Sequence, residues 1–198
     1  MDSAPFVLMI AGPNGSGKTT LTDQLRRDGI DFGAYINADE IAKTLTGGYD
    51  DRVRRAQRIA DEERARCLDS GVSFSFETVM SHRSKVDLLQ AANARGFRVG
   101  LYFVATESPD INVARVAQRV LLNGHDVPED RIRARYGRAL ALLPEALGHA
   151  DDAVLFDNSP GSRGEPAVIR PFWRRTDGAV TVSPPIPQWA RAAIPSGL

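Results

Sequence analysis

The chain has 198 residues, 42% hydrophobic and 25% charged, and its 25 Lys+Arg balance 25 Asp+Glu to a formal net charge of zero. That length suits one globular domain with a proper core, expected to span 1–198, and the balanced charge leaves no global field for nucleic acid or an anionic membrane. The single cysteine, Cys67, excludes an internal disulfide framework and a multi-cysteine metal site.

Phe6 to Ala11 is a continuous apolar run, as a central parallel strand buried on both faces should be. Asp2 and Pro5 precede it, and the run is too short for a signal peptide or a membrane span, so a cytoplasmic address is expected. Glycines from Gly12 to Gly17 break the run, and Thr19 to about Arg27 read as a helix ended near Gly29. Ala34 to Asn37 is a short second strand. A long helix follows over Asp51–Ser70, with Val53, Ala56, Ile59, Ala60, Cys67 and Leu68 as its apolar stripe and Gly71 as its stop. On that stripe Cys67 reads as a buried, inert thiol.

Val72 to Glu77 alternates at period two and predicts a third strand; Ser84–Arg95 is a helix stopped by Gly96, and Phe97–Ala105 a fourth strand. From Asp110 to Asn123, Ile111, Ala114, Ala117, Val120 and Leu121 repeat at helical spacing. Gly124 to Pro128 interrupt, His125 reading as a turn residue, and a second long helix runs to about Leu147 before a fifth strand at Ala153–Asp157. Val168–Trp173 and Ala179–Val182 flank Thr176-Asp177-Gly178 and predict a terminal hairpin, within about 165–183. Pro184, Pro185 and Pro187 then end regular structure, with room for a helical turn or two between Gln188 and Ile194. Alternating strands and helices predict a three-layer α/β/α fold of the P-loop NTPase, nucleoside-kinase-like type, around a mostly parallel five-stranded sheet with a C-terminal hairpin.

Gly12-Pro13-Asn14-Gly15-Ser16-Gly17-Lys18-Thr19 matches G-x-x-x-x-G-K-[ST] without a mismatch, between a strand and a helix as that motif requires. Its glycines let backbone N–H groups wrap the β-phosphate of ATP or GTP, Lys18 reaches the β- and γ-phosphates, and the Thr19 hydroxyl is a ligand for Mg²⁺. No N-K-x-D guanine reader occurs, and the chain is short of the second domain of motor ATPases, so a small-molecule kinase is expected. Such a kinase needs a carboxylate near the acceptor hydroxyl. Asp39, just after strand two, fits as general base; the alternative, N-cap of a helix starting near Glu40, is compatible with that role. Glu77 ends strand three beside Thr78, where it can hold the acceptor, help position Mg²⁺ or stand as a solvated charge. The helices of about 110–147 read as a lid: Arg115 and Arg119 share one face, Arg131 and Arg135 another, set either to neutralise the transferring phosphoryl group or to form surface ion pairs. Asp157-Asn158-Ser159 follows strand five, an adenine-holding position or a simple turn. Arg52, Arg54, Arg55 and Arg58 form a basic helix face, solvated or set to hold an anionic substrate tail.

Several segments together resemble the zeta-toxin family of bacterial P-loop kinases, in its compact branch. They are Gly12 to Thr20, Asn37-Ala38-Asp39-Glu40-Ile41-Ala42, Phe76 to Ser81, Gly96 to Val99, Arg119-Val120, Gly124 to Glu129, Arg135-Tyr136 and Asp157-Asn158-Ser159, in an order and spacing covering about residues 6 to 160. The resemblance implies a kinase that phosphorylates a hydroxyl of a sugar nucleotide such as UDP-N-acetylglucosamine, acting as the toxin of a toxin–antitoxin pair whose antitoxin is a separate chain over the nucleotide cleft. It implies that Lys18 and Thr19 hold nucleotide and Mg²⁺ and that Asp39 is the general base. Glu77, Thr78 and Arg83 would contact the acceptor, and Arg119 and Arg135 stabilise the transferred phosphate. Thr20 and Asn158 join the loop residues as nucleotide contacts. A P-loop kinase of another small acceptor, or a nucleotide-binding regulatory ATPase, is the alternative.

Overall fold

The computed structural model describes residues 4–122, 126–161 and 165–194. Gly124 and His125 of the expected inter-helix turn therefore lie outside the described residues. The strands are β1 (Phe6–Ala11), β2 (Ala34–Ile36), β3 (Phe74–Thr78), β4 (Arg98–Ala105), β5 (Asp152–Asp157), β6 (Arg170–Thr176) and β7 (Ala179–Val182). The helices are α1 (Lys18–Arg27), α2 (Ala38–Thr44), α3 (Tyr49–Ser70), α4 (Ser84–Ala94), α5 (Pro109–Leu121) and α6 (Glu129–His149), followed by a 3₁₀ turn at Gln188–Ala190. Among the described residues, no helix is long and apolar enough to cross a membrane.

One sheet takes the order β2-β3-β1-β4-β5-β6-β7. The first five strands are parallel, as the βα alternation requires, and β6 and β7 join antiparallel. The expected hairpin thus extends the sheet to seven strands instead of standing beside five. β1 lies between β3 and β4, so the chain leaves it at the point where strand order reverses, the crevice in which ligands of open α/β sheets collect.

Period-two alternation divides the core between the faces. Val7, Met9, Ala11, Phe74, Phe76, Leu101 and Phe103 pack with α3, α4 and α6. Leu8, Ile10, Val104, Val154 and Phe156 pack with Leu21 and Leu25 of α1. A register shift between Leu155 and Phe156 places an extra residue in β6, and the adjacent Phe172 and Trp173 are both buried in the first of these cores.

Two expected faces differ from the structure. On α3 the buried residues are Ala56, Ala60, Arg64 and Leu68, while Val53, Ile59 and Cys67 are half-buried. Arg64 is 3% exposed, stacks over the Phe76 ring at 4.9 Å and pairs with Asp61, which Lys85 also contacts. Burial pushes the Cys67 thiol up, the direction of an inert cysteine. On α5 the apolar stripe points the wrong way: Leu121 is 84% exposed, and the buried residues are Asn112 and Val116. That face meets polar loop backbone, and hydrogen-bond donors are what it needs.

Candidate active site

The loop between β1 and α1 is shaped by its carbonyls. Lys18 Nζ donates to the carbonyls of Gly12 (2.9 Å) and Pro13 (3.0 Å). Asn112 of α5 donates to that of Asn14, Arg115 to that of Gly15 (3.5 Å), and the Asn158 amide to that of Ser16 (2.8 Å). The Gly17 carbonyl accepts from Leu21 N in the first turn of α1 (2.9 Å). Every carbonyl from Gly12 to Gly17 is thereby occupied. Because C=O and the following N–H of one planar peptide point opposite ways, fixing the carbonyls of Asn14 and Ser16 outward aims the N–H groups of Gly15 and Gly17 into the loop. Glycine is required at positions 12 and 17. Gly12 has φ 151° and a Cβ there would lie 2.0 Å from the Val104 carbonyl; Gly17 has φ 101° and its Cβ would meet Asn158 Nδ2 at 2.3 Å. The buried Ser16 hydroxyl has no hydrogen-bond partner, a further free donor beside those N–H groups.

Beside the loop lies a cavity of about 520 Å³ lined by Gly15, Gly17, Lys18, Thr19, Thr20, Arg115, Val116, Arg119, Asn158 and Ala167. Burial pushes Lys18 down to about 8. Glu77 and Asp39 pull it back up, and Arg119 and Arg135 add to the depression. One ammonium therefore feels two carboxylates and two guanidiniums delivered by β3, α2, α5 and α6. All four are among the charged residues that the sequence singles out beside Lys18; Arg83, also among those, is not part of this group. Arg115 and Arg135 are each lowered by burial; Arg131 and Arg138 push Arg135 further, while Asp157 opposes the shift of Arg115. Arg135 also reaches Asn14 Oδ1 at 3.4 Å.

Glu77 and Thr78 diverge, as neighbours on a strand must. The Glu77 carboxylate accepts from the hydroxyls of Thr22 (2.7 Å), Tyr35 (2.9 Å) and Thr19 (3.3 Å). Thr78 Oγ1 instead accepts from Met80 N (3.1 Å) and shapes the turn after β3. A carboxylate against the Thr19 hydroxyl is a set of hard oxygen donors suited to Mg²⁺. Among the described residues, no three His, Cys, Asp or Glu side chains gather as a metal site, so the nucleotide and water would supply the remaining ligands.

Tyr35 accepts from Asn37 Nδ2 (2.8 Å), and Asn37 Oδ1 accepts from the backbone N–H of Asp39 (2.9 Å) and Glu40 (3.4 Å). Asn37 is thus the N-cap of α2, which corrects the capping alternative for Asp39. Asp39 stands exposed in the first turn, on a small hollow shared with Lys43, Tyr49 and Arg52. Of the basic run, Arg55 pairs with Asp51 and Arg58 with Glu62 on the solvated face of α3. Arg83 is not gathered with Lys18: Glu145 of α6 holds its guanidinium from two sides and Asp87 lies at 3.4 Å. Arg138, on the same helix, donates to the Ser81 carbonyl.

Asn112, Thr22 and Tyr35 were not anticipated as site residues. Asn112 carried a signal, an amide between Ile111 and Val113; it also accepts from Thr106 Oγ1 just after β4.

A mononucleotide-type sheet, a phosphate-cradling loop at its reversal point and converging charges beside it define the P-loop kinase fold. The sequence model of the zeta toxin family matches residues 1–157, and the chain belongs to that family. It is 28% identical over 137 residues to an uncharacterized protein of Haemophilus influenzae, covering 65% of this chain and 91% of the relative. It superposes on a chain of the AvrRxo1-ORF1:ORF2 complex with a TM-score of 0.66 at 18% identity, over 96% of its own length and 62% of the other's; that complex has also been crystallised with ATP. A chain of the PezAT chromosomal toxin–antitoxin system of Streptococcus pneumoniae gives 0.57 at 16% identity, over 84% and 72%. These likenesses establish a shared fold.

Proposed function

We propose that the chain is a single-domain, ATP-dependent kinase of a small-molecule hydroxyl, with a sugar nucleotide such as UDP-N-acetylglucosamine as the favoured acceptor. The observation that carries this reading is the convergence of Asp39, Glu77, Arg119 and Arg135 on the field of Lys18. A protein that only binds nucleotide needs no exposed carboxylate across the cleft. The loop amides and Lys18 grip the β- and γ-phosphates, while Arg115, Asn158 and Ala167 form the wall against which the base lies. Thr19 and Glu77 would hold Mg²⁺, which supplies positive charge at the phosphate oxygens when bound. Asp39 takes the proton of the acceptor hydroxyl as its oxygen bonds to the γ-phosphorus; the bond from that phosphorus to the bridging oxygen breaks, and ADP leaves. Arg119 and Arg135 neutralise the charge that develops on the transferring group. Thr78 and Arg83, one shaping the turn after β3 and the other anchoring the start of α4 to α6, set the acceptor's side of the cleft. The toxin role, a cytoplasmic address and a separate antitoxin chain over the nucleotide cleft belong to the same reading, supported by family membership and by the toxin–antitoxin system among the structural neighbours.

The test is to incubate the protein with Mg-ATP and a panel of UDP-sugars and other alcohols and to look by mass spectrometry for an acceptor heavier by one phosphoryl group. Asp39→Asn is expected to lower kcat by about 10²- to 10⁴-fold while nucleotide affinity stays within a few-fold. Transfer by Asp39→Asn at the wild-type rate overturns the mechanism, and ADP release that no acceptor stimulates favours the regulatory ATPase.

A further inference from the structure

The family match ends at Asp157, yet residues well beyond it reach back to the nucleotide side of the molecule. The indole N–H of Trp189 donates to Asp157 Oδ1 (3.1 Å), and the backbone N–H of Gln188 donates to Glu107 Oε1 (3.1 Å). Both acceptors belong to one small network. Ser159 Oγ donates to Asp157 Oδ1 (2.8 Å) and accepts from Glu107 N (2.8 Å), tying the end of β5 to the segment that leaves β4. Between Asp157 and Ser159 sits Asn158, whose side chain holds the Ser16 carbonyl and whose own carbonyl accepts from Arg115 (2.7 Å). Asp157 also lies close enough to Arg115 to oppose its pKa depression. Trp189 is itself seated firmly: it is 8% exposed, with its ring 5.9 Å from Phe103 and edge-on to Phe172 at 5.5 Å.

We infer that the 3₁₀ turn at Gln188–Ala190 is a clasp on the nucleotide cavity, with Trp189 as a positioning residue that acts through Asp157. The indole holds the end of β5; that strand end presents Asn158 to the phosphate loop and to Arg115, and those two residues line the cavity wall. The consequence for binding rests on the proposed reading of this cavity as the nucleotide site. The mechanical part, support of the loop by the C-terminal turn, does not.

The full-length chain carrying Trp189→Phe keeps an aromatic ring against Phe103 and Phe172 and removes the N–H. Trp173→Phe is the control, because the Trp173 indole N–H is buried without a partner. Hydrogen exchange of the nucleotide-free protein should rise at least threefold over residues 12–18 and 157–159 in Trp189→Phe and stay unchanged in Trp173→Phe. The dissociation constant for Mg-ATP, from calorimetry, should rise about fivefold, with kcat at saturating nucleotide within twofold. Wild-type exchange in Trp189→Phe overturns the clasp, as does an equal rise in the control. Raised exchange with unaltered Mg-ATP affinity overturns its part in nucleotide binding. Wild-type protein that shows no affinity for Mg-ATP overturns the kinase reading instead, and the exchange measurement still decides the clasp.

Discussion

Lys18 is held by the carbonyls of its own loop, and the enclosure that burial provides lowers its pKa to about 8. Its ammonium is therefore charged below pH 8 and loses the proton as pH rises through that value, well before an ordinary lysine near 10.5. Affinity for Mg-ATP should be flat below pH 7.5 and fall above 8, by at most about tenfold per pH unit, since one proton is linked to binding. Calorimetric titrations from pH 6.5 to 9.5 measure this. The stability of the empty protein runs the other way. The unfolded lysine keeps its proton to about 10.5, so the native state gains stability between pH 8 and 10.5. Tyr35 offers a second check at this scale, because its hydroxyl is one of three that fix the Glu77 carboxylate. Tyr35→Phe should raise the Mg²⁺ concentration for half-maximal rate by about tenfold, the worth of a hydrogen bond to a charged group. Steady-state rates against Mg²⁺ give the answer.

Helices α5 and α6 bring arginines to the loop from outside the sheet, and their orientation was only half readable beforehand. A motif of eight consecutive residues announces the cradle, since each position is chosen by close approach to phosphate. The face of α5 was misread because Ile111, Ala114 and Leu121 share a stripe, and a stripe is ordinarily taken as the core face. Here the helix meets a loop whose carbonyls need donors, so Asn112 and Arg115 turn inward and Leu121 outward. Hydrophobic periodicity cannot announce a partner that is itself polar backbone. Asn37 illustrates the same point on α2: the cap and the proposed base stand two residues apart, and only the hydrogen bonds assign the cap. Arg135 of α6 is expected to matter for chemistry more than for binding. Arg135→Ala should lower kcat by about 10²- to 10³-fold with a smaller change in the Mg-ATP dissociation constant. Equal losses in both would place the guanidinium on the ground-state nucleotide.

At the scale of the molecule, the parallel sheet was readable because each strand is an apolar run followed by a helix, and local pattern dictates that architecture. The last two strands were readable as a hairpin but not as sheet members, because pairing β6 with β5 depends on a bulge and on burial of Phe172 and Trp173 together. Phe103 links these regions: fully buried in β4, it packs on Trp189 of the C-terminal turn. Phe103→Ala should destabilise the protein by about 3–5 kcal/mol, read from urea or guanidinium midpoints, and lower thermal stability accordingly. The outermost strands are the shortest, three residues in β2 and four in β7, and Pro184 and Pro185 follow the latter within three residues. Rims of that length expose only a few backbone groups for a foreign strand to grip, and the prolines remove donors just where the ladder would be prolonged. Growth of the sheet from molecule to molecule is thereby discouraged at both ends, which leaves a chain of zero net charge a structural means of resisting precipitation.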